Sequence, residues 1–209
     1  MVVIKAFLAL EADQIQTYFQ TLYMFDLLKE RFMDLPDPMW ADLIPVLSRI
    51  GRMMYFVVEE DTGVILGEFT IEPAQGKAGL IHFSLLPGIP WARKVHLCRY
   101  CAHQVLTQWH DDRGNPFVQT LVGLTPLQNR AACLTVLRVG YTKVGIIPHA
   151  AYFAATGTTG DCMASILTKE TADGWERTKY AGAFDAGGHV DAEGTRDEER
   201  STAGQPVCC

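Results

Sequence analysis

The sequence predicts an α/β protein with a mixed, mostly antiparallel sheet flanked by helices. Apolar runs with the length of strands alternate with segments in which apolar residues recur at helical spacing. The clearest example is residues 117–147, where an apolar run, a short helix and a second apolar run follow one another. Asn129 opens that helix and Gly140 closes it, as expected for helix caps. With 209 residues, of which 48% are apolar, the chain is long enough to bury the core of one domain.

The N-terminal part is predicted to form one strand and two helices. Residues 2–10 are typical of a strand. Asp13 is the expected N-cap of the first helix, with Gln16 as its capping-box partner, and this helix is expected to reach about Arg31. A proline-containing breaker precedes a second helix, predicted over about residues 39–50.

The middle of the chain is predicted to form a hairpin, a third strand and a long helix. Residues 54–59 and 64–71 are the hairpin strands, and the turn between them has Gly63 where a positive φ is expected. Residues 80–86 form the third strand. The long helix, about 91–109, has an apolar stripe that includes two cysteines.

Three further strands and one helix complete the predicted order of β, α, α, β, β, β, α, β, α, β, β. Residues 117–124 are a buried strand, and the helix that begins after Asn129 follows it. Residues 141–147 and 163–168 are the last two strands. We therefore assign residues 1–170 to one domain.

Residues 171–209 differ in composition and are expected to form a flexible acidic tail. They carry eight acidic and four basic side chains and few large apolar residues, so they bury too little surface to offset the entropy of ordering. The whole chain has a net charge of −6, and residues 1–170 have a net charge of −2. Without a block of lysine and arginine, broad nucleic-acid binding is not expected, although a local basic patch is not excluded.

The sequence also predicts the cellular compartment of the protein. No window of 18 unbroken apolar residues is present, so no transmembrane helix is expected. The first ten residues are a poor signal peptide and a good strand. We therefore expect a cytoplasmic protein whose six cysteines are free thiols.

The order of the elements, together with Asn129, the helix after it, and Gly140-Tyr141 before a strand, resembles the GNAT superfamily of N-acetyltransferases. The resemblance covers about residues 1–168. It implies a GNAT-like acyltransferase fold, acetyl-CoA as co-substrate and transfer of the acetyl group to an amine of a protein or small molecule. It is also compatible with a homodimer.

The resemblance implies a coenzyme site between the third strand and the long helix. In the family that strand splays from the next one, pantetheine enters the gap, and a loop of the form Gln/Arg-x-x-Gly-x-Gly/Ala surrounds the pyrophosphate. The residues expected to bind acetyl-CoA here are Leu85, Leu86, Gly88, Trp91, Ala92, Arg93, Lys94 and Asn129.

The loop departs from the family pattern. Gly88 is its one glycine, Ala92 stands for the second small residue, and Pro90 removes one N–H donor. Arg93 and Lys94 are expected to compensate by placing positive charge on a phosphate. The alternative is an ordinary strand-to-helix turn with a solvated basic pair. For Asn129 the alternative is a plain N-cap.

The usual catalytic groups of the family are absent. Its basic glutamate falls near Gly79, its acidic tyrosine at Val136, and the serine of the ribosomal-protein acetyltransferases at Ala132. A non-catalytic GNAT-like protein that serves in binding or assembly is therefore the alternative function. A GNAT-related enzyme that modifies nucleic-acid bases is a third and less supported one.

Three residues are candidates to replace the missing acid and base: Glu68, His82 and Tyr141. His82 titrates near neutrality, and Ser84 shares its face of the strand. The alternatives are an exposed strand carboxylate for Glu68, a hydrogen-bonded or surface histidine for His82, and a core aromatic for Tyr141. The cysteines and histidines of the long helix lack a second ligand pair, so no metal site is expected.

Overall fold

The computed structural model describes residues 1–28, 33 and 53–175. Its strands are β1 (Val2–Ala6), β2 (Met53–Glu59), β3 (Ile65–Pro73), β4 (Ala78–Leu85), β5 (Thr120–Pro126), β6 (Thr142–Phe153) and β7 (Thr158–Thr168). Its α-helices are α1 (Ala12–Met24), α2 (Trp91–His103), α3 (Arg130–Val139) and α4 (Lys169–Trp175). A 3₁₀ turn, Phe7–Ala9, precedes α1, and a π-helical turn, Gln104–Gln108, extends α2.

The seven strands form one sheet in the order β1-β2-β3-β4-β5-β7-β6. Every neighbouring pair is antiparallel except β4 and β5, which are parallel. The predicted fold class, a mostly antiparallel mixed sheet flanked by helices, is confirmed. None of the described helices has the length and apolar character needed to cross a membrane.

Two hydrophobic cores lie on opposite faces of the sheet. On one face, α1 packs Phe19 and Leu22 against Phe56 of β2. On the other face, α2 packs against β3, β4 and β5, and the predicted apolar stripe is buried there: Val95, Cys98, Cys101, Ala102 and Val105. Burial raises the pKa of the Cys98 thiol to about 12, so this cysteine acts as a small apolar residue.

The start of α1 differs from the prediction. Glu11, rather than Asp13, is the N-cap, and its backbone N–H donates to the side chain of Gln14 at 3.2 Å. Gln16 therefore has no part in the capping box. Gln14 also donates from Nε2 to the carbonyl oxygen of Gly63 at 3.1 Å, a contact across 49 positions that joins the start of α1 to the turn after β2.

The end of α1 also differs, because the helix stops at Met24 rather than near Arg31. Asp26 follows with a φ of 55°, the left-handed conformation that aspartate tolerates better than most residues and that ends a helix. The helix predicted over residues 39–50 lies outside the described residues.

Three boundaries of elements in the C-terminal half differ from the prediction. β5 begins at Thr120, because the Phe117 N–H donates to the carbonyl oxygen of Trp109 at 2.9 Å and ties the preceding residues into a turn. β6 and β7 form a longer hairpin than predicted. Residues 171–175 are helical, with Ala172 fully buried, so the predicted tail does not begin there. Its remainder lies outside the described residues.

Gly67 offers a test of the packing between β3 and β4. A β-carbon on Gly67 would collide with Leu85 Cδ2 and with the carbonyl oxygen of Ser84. We expect Gly67→Ala to lower the free energy of unfolding by about 1–3 kcal/mol, measured by urea denaturation. Gly145→Ala is the matched control, because a β-carbon there meets open space, and we expect a change within about 0.5 kcal/mol. Equal effects of the two substitutions would contradict the close approach.

Candidate active site

The β4–β5 cleft is the opening between residues 81–85 and 123–126. The two strands pair only from Ala78 with Thr120 to Leu80 with Val122, although both continue further. On their outer sides β4 stays paired with β3 up to Leu85, and β5 stays paired with β7 throughout. The inner edges beyond Leu80 therefore present N–H and C=O groups that do not bond each other. Such edges can bind an extended ligand that carries amides.

The loop between β4 and α2 lies at the open end of this cleft. The Leu86 N–H donates to the carbonyl oxygen of Leu66 at 2.9 Å, which continues the hydrogen bonding between β3 and β4 by one residue past Leu85. Gly88 has a φ of 82°, and the space around its α-carbon is open. Pro90 is the N-cap of α2 and provides no side-chain hydrogen bond to the first turn. The N–H groups of that turn therefore have no side-chain cap, and they favour an anion.

Arg93 is already engaged in an ion pair. Its Nη2 atom lies 2.9 Å from Oε1 of Glu59 at the end of β2, and Thr62 donates a second hydrogen bond to the same carboxylate at 3.0 Å. The hydrogen bond from Arg93, followed by that from Thr62, lowers the pKa of Glu59. Lys94 has no ion pair within the described part of the chain. Of the two predicted cations, Lys94 is thus the one left available for a phosphate.

Trp91, the first residue of α2, extends to α3. Its Nε1–H donates to Oγ1 of Thr135 at 3.0 Å, and the guanidinium carbon of Arg138 lies 5.9 Å from the centre of the ring. The Trp91 side chain is nevertheless 47% exposed. Because α2 follows β4 and α3 follows β5, this contact joins the elements on the two sides of the cleft.

Asn129 is the N-cap of α3, as predicted. Its Oδ1 accepts a hydrogen bond from the Ala132 N–H at 3.0 Å. Gly140 ends the helix with a φ of 115°, the left-handed C-cap that the sequence indicated. The side-chain oxygen of Asn129 is therefore occupied by the cap, and its amide N–H groups are the part that can meet a ligand.

Several polar side chains lie on the α1 face of β3 and β4. Glu68 pairs with Ser84 in the register, and Thr70 pairs with His82. Glu68 and Thr70 are fully buried, so the alternative of an exposed strand carboxylate is wrong for Glu68. From α1, Tyr18 donates to the carbonyl oxygen of Ser84 at 3.4 Å.

The sequence interpretation missed Thr70. Strand alternation was the available signal, since residues 68 and 70 must share a face. His82 and Ser84 belong to the part of β4 that borders the cleft, and Glu68 lies one strand further away. The structure therefore places Glu68 and His82 on the same face of the sheet, with His82 beside the cleft and Glu68 one strand away.

Tyr141 lies on the opposite face of the sheet, in the α2 core. Its hydroxyl is buried and has no hydrogen-bond partner among the described residues. Burial, followed by the neighbouring Cys98 and Cys101, raises the pKa of the phenol. Its Cε1 atom lies 3.9 Å from the position that a β-carbon on Gly123 would occupy. Tyr141 is thus separated from Glu68 and His82 by the sheet, but its ring lies near Gly123, the first residue of β5 beyond the paired segment.

The positions of the family's usual acid and base bear no titratable group. Gly79 lies in the paired part of β4, and Ala132 and Val136 lie in α3. In the described part of the chain, no group of three histidine, cysteine, aspartate or glutamate residues has the arrangement of a metal site. The four described cysteines are free thiols: Cys98, Cys101, Cys133 and Cys162.

The chain is similar in structure to known acetyltransferases. Spermidine N-acetyltransferase from Vibrio cholerae, solved with CoA and spermine, superposes with a TM-score of 0.61 at 10% identity, over 82% of this chain and 97% of that one. Ribosomal-protein-S5-alanine acetyltransferase from Vibrio fischeri gives 0.56 at 10% identity, over 81% and 93%. No protein-family model and no curated protein sequence matches the chain. The chain therefore has the fold of the GNAT acetyltransferases.

Proposed function

We propose that this protein is an acetyl-CoA-dependent N-acetyltransferase that acts on an amine of a protein or small molecule. The observation that supports it is the β4–β5 cleft, which opens next to the uncapped start of α2. Pantetheine is an extended chain with two amides, and the inner edges of the cleft present backbone partners for such a chain. A pyrophosphate is the kind of anion that the start of a helix favours.

The coenzyme would lie along the cleft with its pyrophosphate at the start of α2. Leu85 and Leu86 would border the pantetheine, and Gly88 and Ala92 would let the phosphates approach the backbone. Lys94 would supply positive charge to the phosphates. Asn129 would donate from its amide nitrogen, because its oxygen caps α3. The neighbour from Vibrio cholerae, solved with CoA, supports this class of ligand.

The transfer step needs a neutral amine and a proton donor. The amine nitrogen attacks the thioester carbonyl, the C–S bond breaks, and the thiolate takes up a proton. His82 is our candidate to accept the ammonium proton, because it lies on the part of β4 that borders the cleft. Glu68 is our candidate to attract the cationic acceptor toward this face.

Tyr141 is our candidate proton donor to the thiolate. Its hydroxyl is buried without a hydrogen-bond partner among the described residues, and its ring lies near Gly123 beside the cleft. Burial raises the pKa of the phenol and makes it a weaker acid, so proton donation requires the thiolate to come within hydrogen-bond reach. Because the sheet separates it from His82, the acid and the base would act from opposite faces. Amines can also lose a proton to water, so the reaction does not require both groups.

A binding or assembly protein without acetyl transfer is the second candidate. It is favoured by the absence of acid and base at Gly79, Ala132 and Val136. The ion pair of Arg93 with Glu59 also removes one cation from the pyrophosphate region.

Titration calorimetry with acetyl-CoA and with free CoA tests the proposal. We expect one saturable site for each ligand, and we expect Lys94→Ala to weaken both, because it removes the unpaired charge beside the phosphates. Absence of heat with both ligands would contradict coenzyme binding. An assay of CoA release with a panel of polyamines, peptides and aminoglycosides then separates the two candidates, since turnover on any amine excludes the non-catalytic one.

Two substitutions at Asn129 separate its two roles. Asn129→Asp keeps the oxygen that accepts from Ala132 but replaces the amide N–H donors, so we expect near-normal thermal stability and weaker binding of CoA. Asn129→Ala removes the cap as well, and we expect it to cost about 1 kcal/mol of stability. Undiminished CoA affinity in both variants would leave Asn129 as a plain N-cap. Thermal unfolding and calorimetry measure the two effects.

Releasing Arg93 should strengthen coenzyme binding. Glu59→Gln removes the carboxylate that holds the guanidinium, so Arg93 becomes available to the pyrophosphate. We expect a gain of roughly 1 kcal/mol, or about fivefold in Kd, at low salt, decreasing as salt is added. Thr62→Val is the matched control, because it removes the other hydrogen bond to Glu59 and leaves the ion pair intact. The same affinity in Glu59→Gln and wild type would show that Arg93 does not contact the coenzyme.

A further inference from the structure

Trp91 is a partly exposed aromatic side chain held in a fixed orientation. Its Nε1–H donates to Thr135 Oγ1 at 3.0 Å, and that hydroxyl donates in turn to the carbonyl oxygen of Ala131 at 2.8 Å. The hydroxyl is therefore oriented to accept from the indole. With 47% of the side chain exposed, the ring remains accessible to a ligand. A half-exposed tryptophan that is already ordered loses little side-chain entropy when a ring stacks on it.

Arg138 places a positive charge beside the same ring. Its guanidinium carbon lies 5.9 Å from the ring centre, close to the limit of a cation–π contact. The backbone of Arg138 is held by Arg99, whose Nη2 donates to its carbonyl oxygen at 2.9 Å. Unlike Arg93, Arg138 has no ion pair within the described part of the chain. Its charge is thus available to a ligand that approaches Trp91.

An aromatic face next to an arginine is suited to a nucleotide. Bases stack on aromatic side chains, and the guanidinium binds phosphate oxygens through paired hydrogen bonds. Trp91 is also the first residue of α2, so it lies beside the helix start at which the proposed function puts the pyrophosphate. The start of α2, the ring of Trp91 and the charge of Arg138 therefore lie together at one end of the cleft.

We propose that Trp91 and Arg138 form the binding site for the nucleotide end of the coenzyme, with adenine against Trp91 and the 3′-phosphate on Arg138. This inference rests on the proposed function, because it assumes that the β4–β5 cleft holds pantetheine. It goes further by assigning two side chains to separate parts of the ligand. Thr135 is a positioning residue that acts through Trp91.

Three ligands separate the two contacts: CoA, dephospho-CoA, which lacks the 3′-phosphate, and 4′-phosphopantetheine, which lacks the adenosine, the 3′-phosphate and one phosphate of the pyrophosphate. In calorimetry we expect Arg138→Gln to weaken the binding of CoA about tenfold and to leave the affinity for dephospho-CoA unchanged. We expect Trp91→Leu to weaken the binding of CoA and of dephospho-CoA about tenfold and to leave the affinity for 4′-phosphopantetheine unchanged. Trp91→Phe keeps an aromatic face without the bond to Thr135, so its loss should be smaller.

The controls keep the test independent of folding and of general electrostatics. Arg130→Gln removes another exposed arginine of α3 and should leave all three affinities unchanged. Thermal unfolding of each variant shows whether a loss of affinity is caused by misfolding. Equal losses for the three ligands, or no loss, would overturn the assignment of Trp91 and Arg138 while leaving coenzyme binding intact. Failure of the wild-type protein to bind any of the three would overturn the proposed function as well.

Discussion

The limited pairing of β4 with β5 is the constraint on which the candidate site depends. Three residue pairs join the strands, and each then follows its own outer neighbour, β3 or β7. The outer ladders continue along the segment where the inner edges no longer pair, so each strand keeps one bonded edge and turns an unbonded edge toward the cleft. Helices α2 and α3 begin where these strands end, so Trp91, Asn129 and the uncapped turn all lie at its open end.

The sheet also divides the candidate chemistry between two environments. Glu68 and His82 lie on the α1 face, where under the proposed function they would meet the acceptor amine. Tyr141 lies on the α2 face among apolar side chains and thiols, which keep its phenol neutral. A reaction in the cleft would have polar groups on one side and a protonated phenol on the other. This arrangement differs from the pattern implied by the resemblance to GNAT enzymes, which predicts the acid and the base at Gly79, Ala132 and Val136.

The features predicted well from sequence are those encoded locally. Asn129 and Gly140 specify both ends of α3 by their own conformations, and the apolar stripe of α2 specifies its buried face. The features that sequence could not predict depend on distant partners. Arg93 pairs with Glu59 across 34 positions, and Gln14 contacts Gly63 across 49. Strand alternation predicts on which face of the sheet Glu68 lies, but it does not predict whether other elements bury that face. The point at which β4 and β5 stop pairing likewise involves residues about 40 positions apart, and no local pattern marks it.

The free inner edges of β4 and β5 have a consequence for the abundance of the protein in cells. A ligand that pairs with both edges takes the place of a missing strand and adds its binding free energy to the stability of the fold. At a ligand concentration of about 100 times Kd, this linkage contributes roughly 2.7 kcal/mol. That amount is a large fraction of the stability of an ordinary domain. The population that escapes unfolding and proteolysis would then rise and fall with the supply of the ligand, whether or not any acetyl group is transferred.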